Sequence, residues 1–276
     1  MDLARMLLEL YHAEQDNHYD DKEAGALFDP PIFAVADAAD AWFDRLKQVI
    51  GVHHLTPREA LELSTPGTTA RSVICWSLPV AELPRRTNRA ETLLPSRAWA
   101  YARMQADGIM LRMTRGLEEA LRKLGHAAVG PAQSPEVAKL ASPHLSTCWS
   151  QRHVAFVAGL GTFGISGGLI TVRGIAHRLG SVVTDAAIAP TPRPYGDDPF
   201  AWCLKSARNT CGACIKRCPV GSIGLSVHER NKDACANHRE TVRAAAGDRY
   251  GWKSNHYGCA LCQTNVPCET CNPTAD

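Results

Sequence analysis

The sequence predicts a layered α/β or α+β domain over residues 1–190, followed by a cysteine-rich module over residues 191–276. Three observations carry that division. Helix-period and strand-like segments alternate up to about residue 190. The stretch PTPRPYGDDPF (190–200) then brings four prolines together, the composition of a linker. Beyond it lie nine of the eleven cysteines, all within the last 74 residues. A chain of 276 residues can hold one large or two moderate domains with ample core.

Each element has a local reason. Residues 1–16 read as an amphipathic helix with Leu3, Met6, Leu7 and Leu10 on one face. FDPPIFAV (28–35) is a turn entering a short extended piece, and 37–51 reads as a helix stopped by Gly51. Thr56-Pro57-Arg58-Glu59 starts a helix: Thr56 caps it, Pro57 takes the first helical position and Glu59 closes a capping box. SVICWSLPV (72–80) is a buried strand, 97–124 the longest helix with Gly125 as its stop, and 126–130 the next strand. HVAFVAGLGTFG (153–164) is helix-like and runs into a glycine loop. GGLITV (167–172) and GSVVTD (180–185) read as a pair of strands joined by RGIAHRL.

The cysteines carry the chemistry. Cys203-x7-Cys211-x2-Cys214-x3-Cys218-Pro219 ends like a bacterial ferredoxin run, in which thiolates hold iron–sulfur clusters. Cys235, Cys259-x2-Cys262, Cys268 and Cys271 follow, so nine thiols suffice for two [4Fe–4S] clusters with one left over. Disulfides are the poorer reading, because the N-terminus lacks an apolar segment followed by a small-residue cleavage site, which makes the cytoplasm the expected compartment. A four-thiolate zinc ribbon from Cys211-x2-Cys214 and Cys259-x2-Cys262 is the stronger rival, but it leaves Cys203, Cys218, Cys235 and Cys268 without a role. In two-cluster ferredoxins the fourth cysteine of each run crosses to the other cluster. Applied here, Cys203, Cys211, Cys214 and Cys268 form one set, and Cys218, Cys235, Cys259 and Cys262 the other. Cys268 is preferred to Cys271 because it follows a proline and lies nearer Cys262. Cys75 and Cys148 read as buried small hydrophobes.

The loop AGLGTFGISGG (158–168) contains Gly159-x-Gly161-x-x-Gly164, with Asp185 at a passable distance for a ribose acid. A dinucleotide fingerprint needs a strand before the glycines and a helix after them. The order here is reversed, so a tight structural loop is the favoured reading. No apolar run is long enough to span a membrane, and a net charge of +2 gives no nucleic-acid footprint. Lys205, Arg208, Lys216 and Arg217 flank the thiols, either to offset cluster charge or as a solvated basic face.

SVICWSLPV, LRKLGHAAVGP, WSQRHVAFVAGLGTFGISGGLIT and the two cysteine runs, in this order, resemble epoxyqueuosine reductase and its relatives the reductive dehalogenases, over roughly residues 70–271. The closest likeness is to short stand-alone members. The resemblance implies a nitroreductase-like α/β domain followed by a ferredoxin-like double-cluster module, with a base-off cobalamin between them that takes oxygen or halogen from a substrate. Cobalamin is therefore a candidate third group beside the two [4Fe–4S] clusters. The chain departs from the pattern at HLSTCWSQRH (144–153), which holds no acid; Leu145 stands about where the reductase has its aspartate proton donor. Without the tRNA-holding helical repeats or a twin-arginine signal, neither tRNA reduction nor respiratory dehalogenation is expected.

The candidate catalytic residues are His153 and Arg152, just before the loop, and Tyr101, a phenol of the kind that donates protons in the dehalogenases. Trp149, Gly159, Gly161, Thr162, Phe163, Gly164 and Ser166 are the candidate cofactor contacts. His53 and His54 form no recognisable ligand set. The expected partners are an electron donor of ferredoxin or flavodoxin type and a small-molecule substrate or a partner enzyme, with neither membrane nor nucleic acid. The alternative to an enzyme is a non-catalytic electron carrier, or an activator of a partner's corrinoid.

Overall fold

The computed structural model describes residues 1–20, 25–252 and 257–275. Its centre is a four-stranded sheet in the order β1 (Ile32–Asp37), β2 (Ser72–Pro79), β6 (His177–Thr184), β3 (Ala128–Val129). Every neighbouring pair in it is antiparallel. Strands β4 (Gly161–Phe163) and β5 (Leu169–Thr171) form a separate antiparallel ribbon. The alternation of helix and strand thus builds an α+β layer, without parallel βαβ crossovers.

β2 is buried along its whole length because both faces of the sheet are covered. Ile74, Trp76 and Leu78 point into a core shared with α1 (Leu3–His12) and the long α5 (Arg97–Lys123). Val73 and Cys75 point the other way, into a core with α2 (Trp42–Val49), α3 (Pro57–Ser64) and α7 (Gln151–Val157). That second core continues into the cysteine-rich segment through Trp202, Cys203, Ile223 and Val266. Trp76 faces Gly180 across the β2–β6 register.

Helices α1 and α5 lie within the stretches expected to hold them, and the Thr56–Glu59 capping box is complete. α2 starts at Trp42 and not at Asp37, because Asp37 ends β1 and its carboxylate accepts the backbone N–H of Ala39. Asp40 likewise accepts the N–H of Trp42, so side-chain turns occupy the backbone where a helix was expected.

The largest departure concerns the two strands read as a pair. They do not pair with each other. β5 folds back on β4, while β6 begins at His177, inside the supposed connector, and inserts between β2 and β3. The proline stretch is likewise a strap laid on the sheet layer: Thr191 exchanges hydrogen bonds with Val35, and the Tyr195 hydroxyl donates to the Phe156 carbonyl at 2.6 Å. Short helices α4 (Glu82–Arg89), α6 (Pro135–Ala138), α8 (Leu204–Arg208) and α9 (Ala213–Arg217), with the longer α10 (Lys232–Tyr250), complete the chain.

Candidate active site

All eleven cysteines are free. Cys203, Cys211, Cys214 and Cys268 line one cavity, closed on its far side by Gly164, Ile165 and Ser166 of the glycine loop. Cys203 stands at the start of α8, and Cys214 lies in α9. Burial and the neighbouring Cys203 and Cys211 push the Cys214 thiol up to about 11. Burial, with Cys214, Cys203 and Cys211, pushes Cys268 up to about 12. Thiols crowded in this way shed their protons when a cation takes the sulfur charge.

The second set gathers from three elements. Cys218 caps α9, Cys235 lies in the first turn of α10, Cys259 stands just before the turn at Leu261–Gln263 and Cys262 lies within it. Burial raises Cys259, with Cys235 and Cys218 adding to it; burial, Cys259 and Cys235 raise Cys262 further. Cys218 differs. Burial works against its thiolate, yet the Ser222 hydroxyl and the backbone N–H groups of Val220, Ser222 and Gly221 donate to the sulfur and bring its pKa below the usual thiol value. Cys214 also acts on Cys262, so the two sets are neighbours.

The two Cys-x2-Cys pairs therefore fall in different sets, which does not suit a single zinc ribbon. Among the described residues no three His, Cys, Asp or Glu side chains close around one metal ion. A cubane binds each thiolate to a separate iron and spaces the sulfurs more widely, so the donor chemistry fits [4Fe–4S] clusters. Cys271 stands exposed outside the first cavity, its thiol directed at the Pro267 carbonyl. Cys75, buried in β2 and raised strongly by burial, and Cys148, held against the Ala141 carbonyl, are packing residues.

A second cavity, of about 460 Å³ and open to solvent, lies beside the glycine loop. Trp42, Phe156, Phe163 and Phe200 give it an apolar wall. Its basic and imidazole groups are Arg152, His153, His228, Arg230 and Lys232. A smaller cavity on the far side of Arg152 and Arg230 reaches Cys262 of the second thiol set.

His153 bonds Ser150 through Nδ1 at 2.7 Å and packs on Phe163. Its sequence context suggests titration near neutrality. Burial, aided by Arg152, His54 and Lys232, instead lowers it to about 3, so at neutral pH it is an uncharged hydrogen-bonding group. Arg152 is exposed along a surface that lines both cavities, and the protein packed closely around it, with Arg230, pulls its pKa down. One N–H of Arg152 donates to the Gly167 carbonyl.

The other candidate residues lie elsewhere. Tyr101 packs edge-on against Tyr19 and Trp252 and accepts from Gln105, away from the cavity wall. The Trp149 indole donates to Ser181 and stacks on His54 inside the core. Thr162 accepts from the Trp202 backbone, and Gly159 faces the Pro192 carbonyl. A side chain on Gly161 would meet the Ile170 carbonyl at 2.0 Å, so this glycine serves the β4–β5 ribbon. Phe163 alone of the expected loop contacts lines the large cavity, whereas Gly164 and Ser166 line the first thiol cavity. Asp185 accepts the Ala127 N–H and contacts His126, a structural role, and the helix-before-loop order rules out the dinucleotide reading. Sequence reasoning missed Arg230 and Lys232, which carry no motif and reach the cavity only through the fold.

No family model matches the chain, and no curated protein matches its sequence. Solved structures do. Epoxyqueuosine reductase from Bacillus subtilis superposes with a TM-score of 0.51 at 18% identity, over 95% of this chain and 64% of that one. The chain shares its fold with epoxyqueuosine reductase and with a reductive dehalogenase. The Streptococcus thermophilus epoxyqueuosine reductase gives 0.50 at 16% identity, over 95% of this chain and 65% of that one. A catabolic reductive dehalogenase gives 0.50 at 12% identity, over 77% of this chain and 27% of that one. The chain thus spans just under two thirds of the length of the reductases that share its fold. Among the described residues no helix is long and apolar enough to cross a membrane.

Proposed function

We propose that this chain is an iron–sulfur oxidoreductase that reduces a small molecule or a cofactor held beside the 158–168 loop. In this reading a nitroreductase-like part, 1–190, and a ferredoxin-like part, 191–276, line the cavity together, and the second part supplies the electrons. The observation that carries it is the placement of Cys262: it belongs to the second thiol set and also lines the cavity that meets the candidate site at Arg152 and Arg230. When bound, two [4Fe–4S] clusters supply single electrons. Cys203, Cys211, Cys214 and Cys268 would hold the entry cluster, and Cys218, Cys235, Cys259 and Cys262 the one facing the site. Electrons would come from a donor of ferredoxin or flavodoxin type.

This chain's own residues bind and orient. Phe156, Phe163 and Phe200 exclude water from the cavity wall, Arg152 is fixed by the Gly167 carbonyl, and Ser150 fixes the His153 ring. Neutral His153 can donate one hydrogen bond from Nε2 to an oxygen of the bound molecule.

Cobalamin is the other group that the shared fold suggests. The apolar wall that includes Trp42 and Phe200 suits a flat ring, so these residues would hold a corrinoid. Bound there, it would supply a low-potential nucleophilic metal.

Leu145 favours a second reading. It lines the cavity at the position where the sequence comparison expects an acid, and an apolar side chain there supplies no proton. A carrier that passes electrons to a partner enzyme needs none.

Anaerobic reconstitution with iron and sulfide, incubation with hydroxocobalamin and desalting separate these readings. About eight irons per chain are expected, with two interacting reduced-cluster signals in the electron paramagnetic resonance spectrum. Retained cobalt with a base-off spectrum would support a cobalamin-dependent reductase, and iron without cobalt would shift weight to direct reduction or to a carrier. Zinc in place of iron would sink the proposal.

A further inference from the structure

The large cavity and the smaller one behind it meet at Arg152 and Arg230. Lys232 joins them at the mouth, Arg178 in the inner cavity, and no Asp or Glu lines either space. Several other arginines in this molecule are answered by acids: Arg89 by Glu269, Arg112 by Glu14 and Asp16, Arg193 by Asp40. Among the described residues, neither Arg152 nor Arg230 has such a partner. Arg152 donates to one backbone carbonyl. Arg230 reaches the Cys235 sulfur at 3.8 Å, and its Nε is buried without a hydrogen-bond partner.

A bound cluster answers only part of this charge. An oxidised [4Fe–4S] cluster with four thiolates carries about two negative charges, against four fixed cations around the two cavities. Two guanidiniums held side by side in a partly dehydrated space repel each other, and Arg230 lowers the pKa of Arg152. The fold keeps them together all the same. Gly167, at φ +74, has no side chain where the Arg230 guanidinium lies, and a Cβ there would approach it to 2.5 Å.

We infer that the site takes an organic anion, a carboxylate or phosphate head between Arg152 and Arg230 with a flat apolar body against Phe156, Phe163 and Phe200. This deepens the reductase reading and rests on it for the identity of the site. Forked N–H groups match a two-oxygen head, and the cavity volume of about 460 Å³ suits a small aromatic or cyclic acid. The head would sit where the large cavity meets the path to Cys262, with the body toward His153.

The test is calorimetric titration of the anaerobic, cluster-loaded protein with benzoate, phenyl phosphate and neutral benzamide, with iron and sulfide counted on the same sample. At least one anion is expected to bind, with benzamide about tenfold weaker or worse. Arg152→Gln should weaken the anion by about ten- to a hundredfold and leave benzamide unchanged. The two anions together show which head is preferred. Lys232→Gln, at the exposed mouth, should give a smaller loss in the same direction and serves if Arg152→Gln fails to load iron. Equal binding of benzoate and benzamide, no binding of either anion, or unchanged anion affinity in an iron-replete Arg152→Gln protein would overturn the anion site while leaving the electron-transfer reading in place. A zinc-containing protein that still binds benzoate through Arg152 would do the reverse.

Discussion

At the scale of single residues, the junction between α4 and the cysteine segment depends on buried polar groups. Arg217, which follows Lys216 in a basic pair that reads as a surface position, instead donates to the carbonyls of Glu91 at 2.8 Å, Asn88 at 3.1 Å, Leu261 at 3.2 Å and Thr264 at 3.1 Å. Asn88 is fully buried, donating to Thr264 and accepting from the Ser96 backbone. Arg217→Lys keeps the charge but cannot span this set of acceptors. It should cost about 2–4 kcal/mol in denaturant unfolding, and a loss under about 0.5 kcal/mol would show that the fork is dispensable.

His54 and His177 give a pH dependence. Burial is the main cause that lowers both to about 4 from an ordinary 6.5. Above pH 6.5 neither the folded nor the unfolded chain binds these protons, and stability is unaffected. Below it the unfolded chain takes them up and the folded chain does not, so stability falls as the pH drops from 6.5 toward 4. At pH 5 each costs about 2 kcal/mol. Unfolding midpoints that stay level between pH 7 and pH 5 would contradict this, and His177→Gln should remove part of the slope.

At the scale of elements, the β4–β5 ribbon positions the loop against both the thiol cavity and the large cavity. Gly161→Ala would drive a methyl into the Ile170 carbonyl, and no side-chain rotation relieves a backbone clash. The expected result is a loss of more than about 3 kcal/mol with reduced iron loading, read by thermal melting and iron assay. Thr56→Ala, by contrast, removes only the cap of α3 and should cost about 1 kcal/mol without changing iron content. The contrast shows which elements the sequence made legible. A capping box or an amphipathic face acts within one turn of chain, so it can be read locally. Strand pairing is not local: GGLITV and GSVVTD have the same strand character, and only the packing of the β2 faces decides which one enters the central sheet.

At the scale of the whole molecule, the two thiol sets draw on residues up to 65 positions apart, from Cys203 to Cys268. Cys268→Ser should lower iron from about eight toward four per chain, whereas Cys271→Ser should leave it unchanged. Equal loss in both variants would reassign the eighth ligand.

The sequence by itself determined where the thiols cluster and the order of the elements that carry them, because thiol number and spacing are local. It also placed His153, Arg152 and Phe163 around the glycine loop, where the large cavity lies. Tertiary structure alone decided that Trp149, Thr162 and Gly161 hold the core together, and that Arg230 and Lys232 reach the same cavity as Arg152. The physical reason is that a cavity and its charge are sums over residues far apart in the chain: no segment records which other segment will face it, nor whether an acid will be there to answer an arginine.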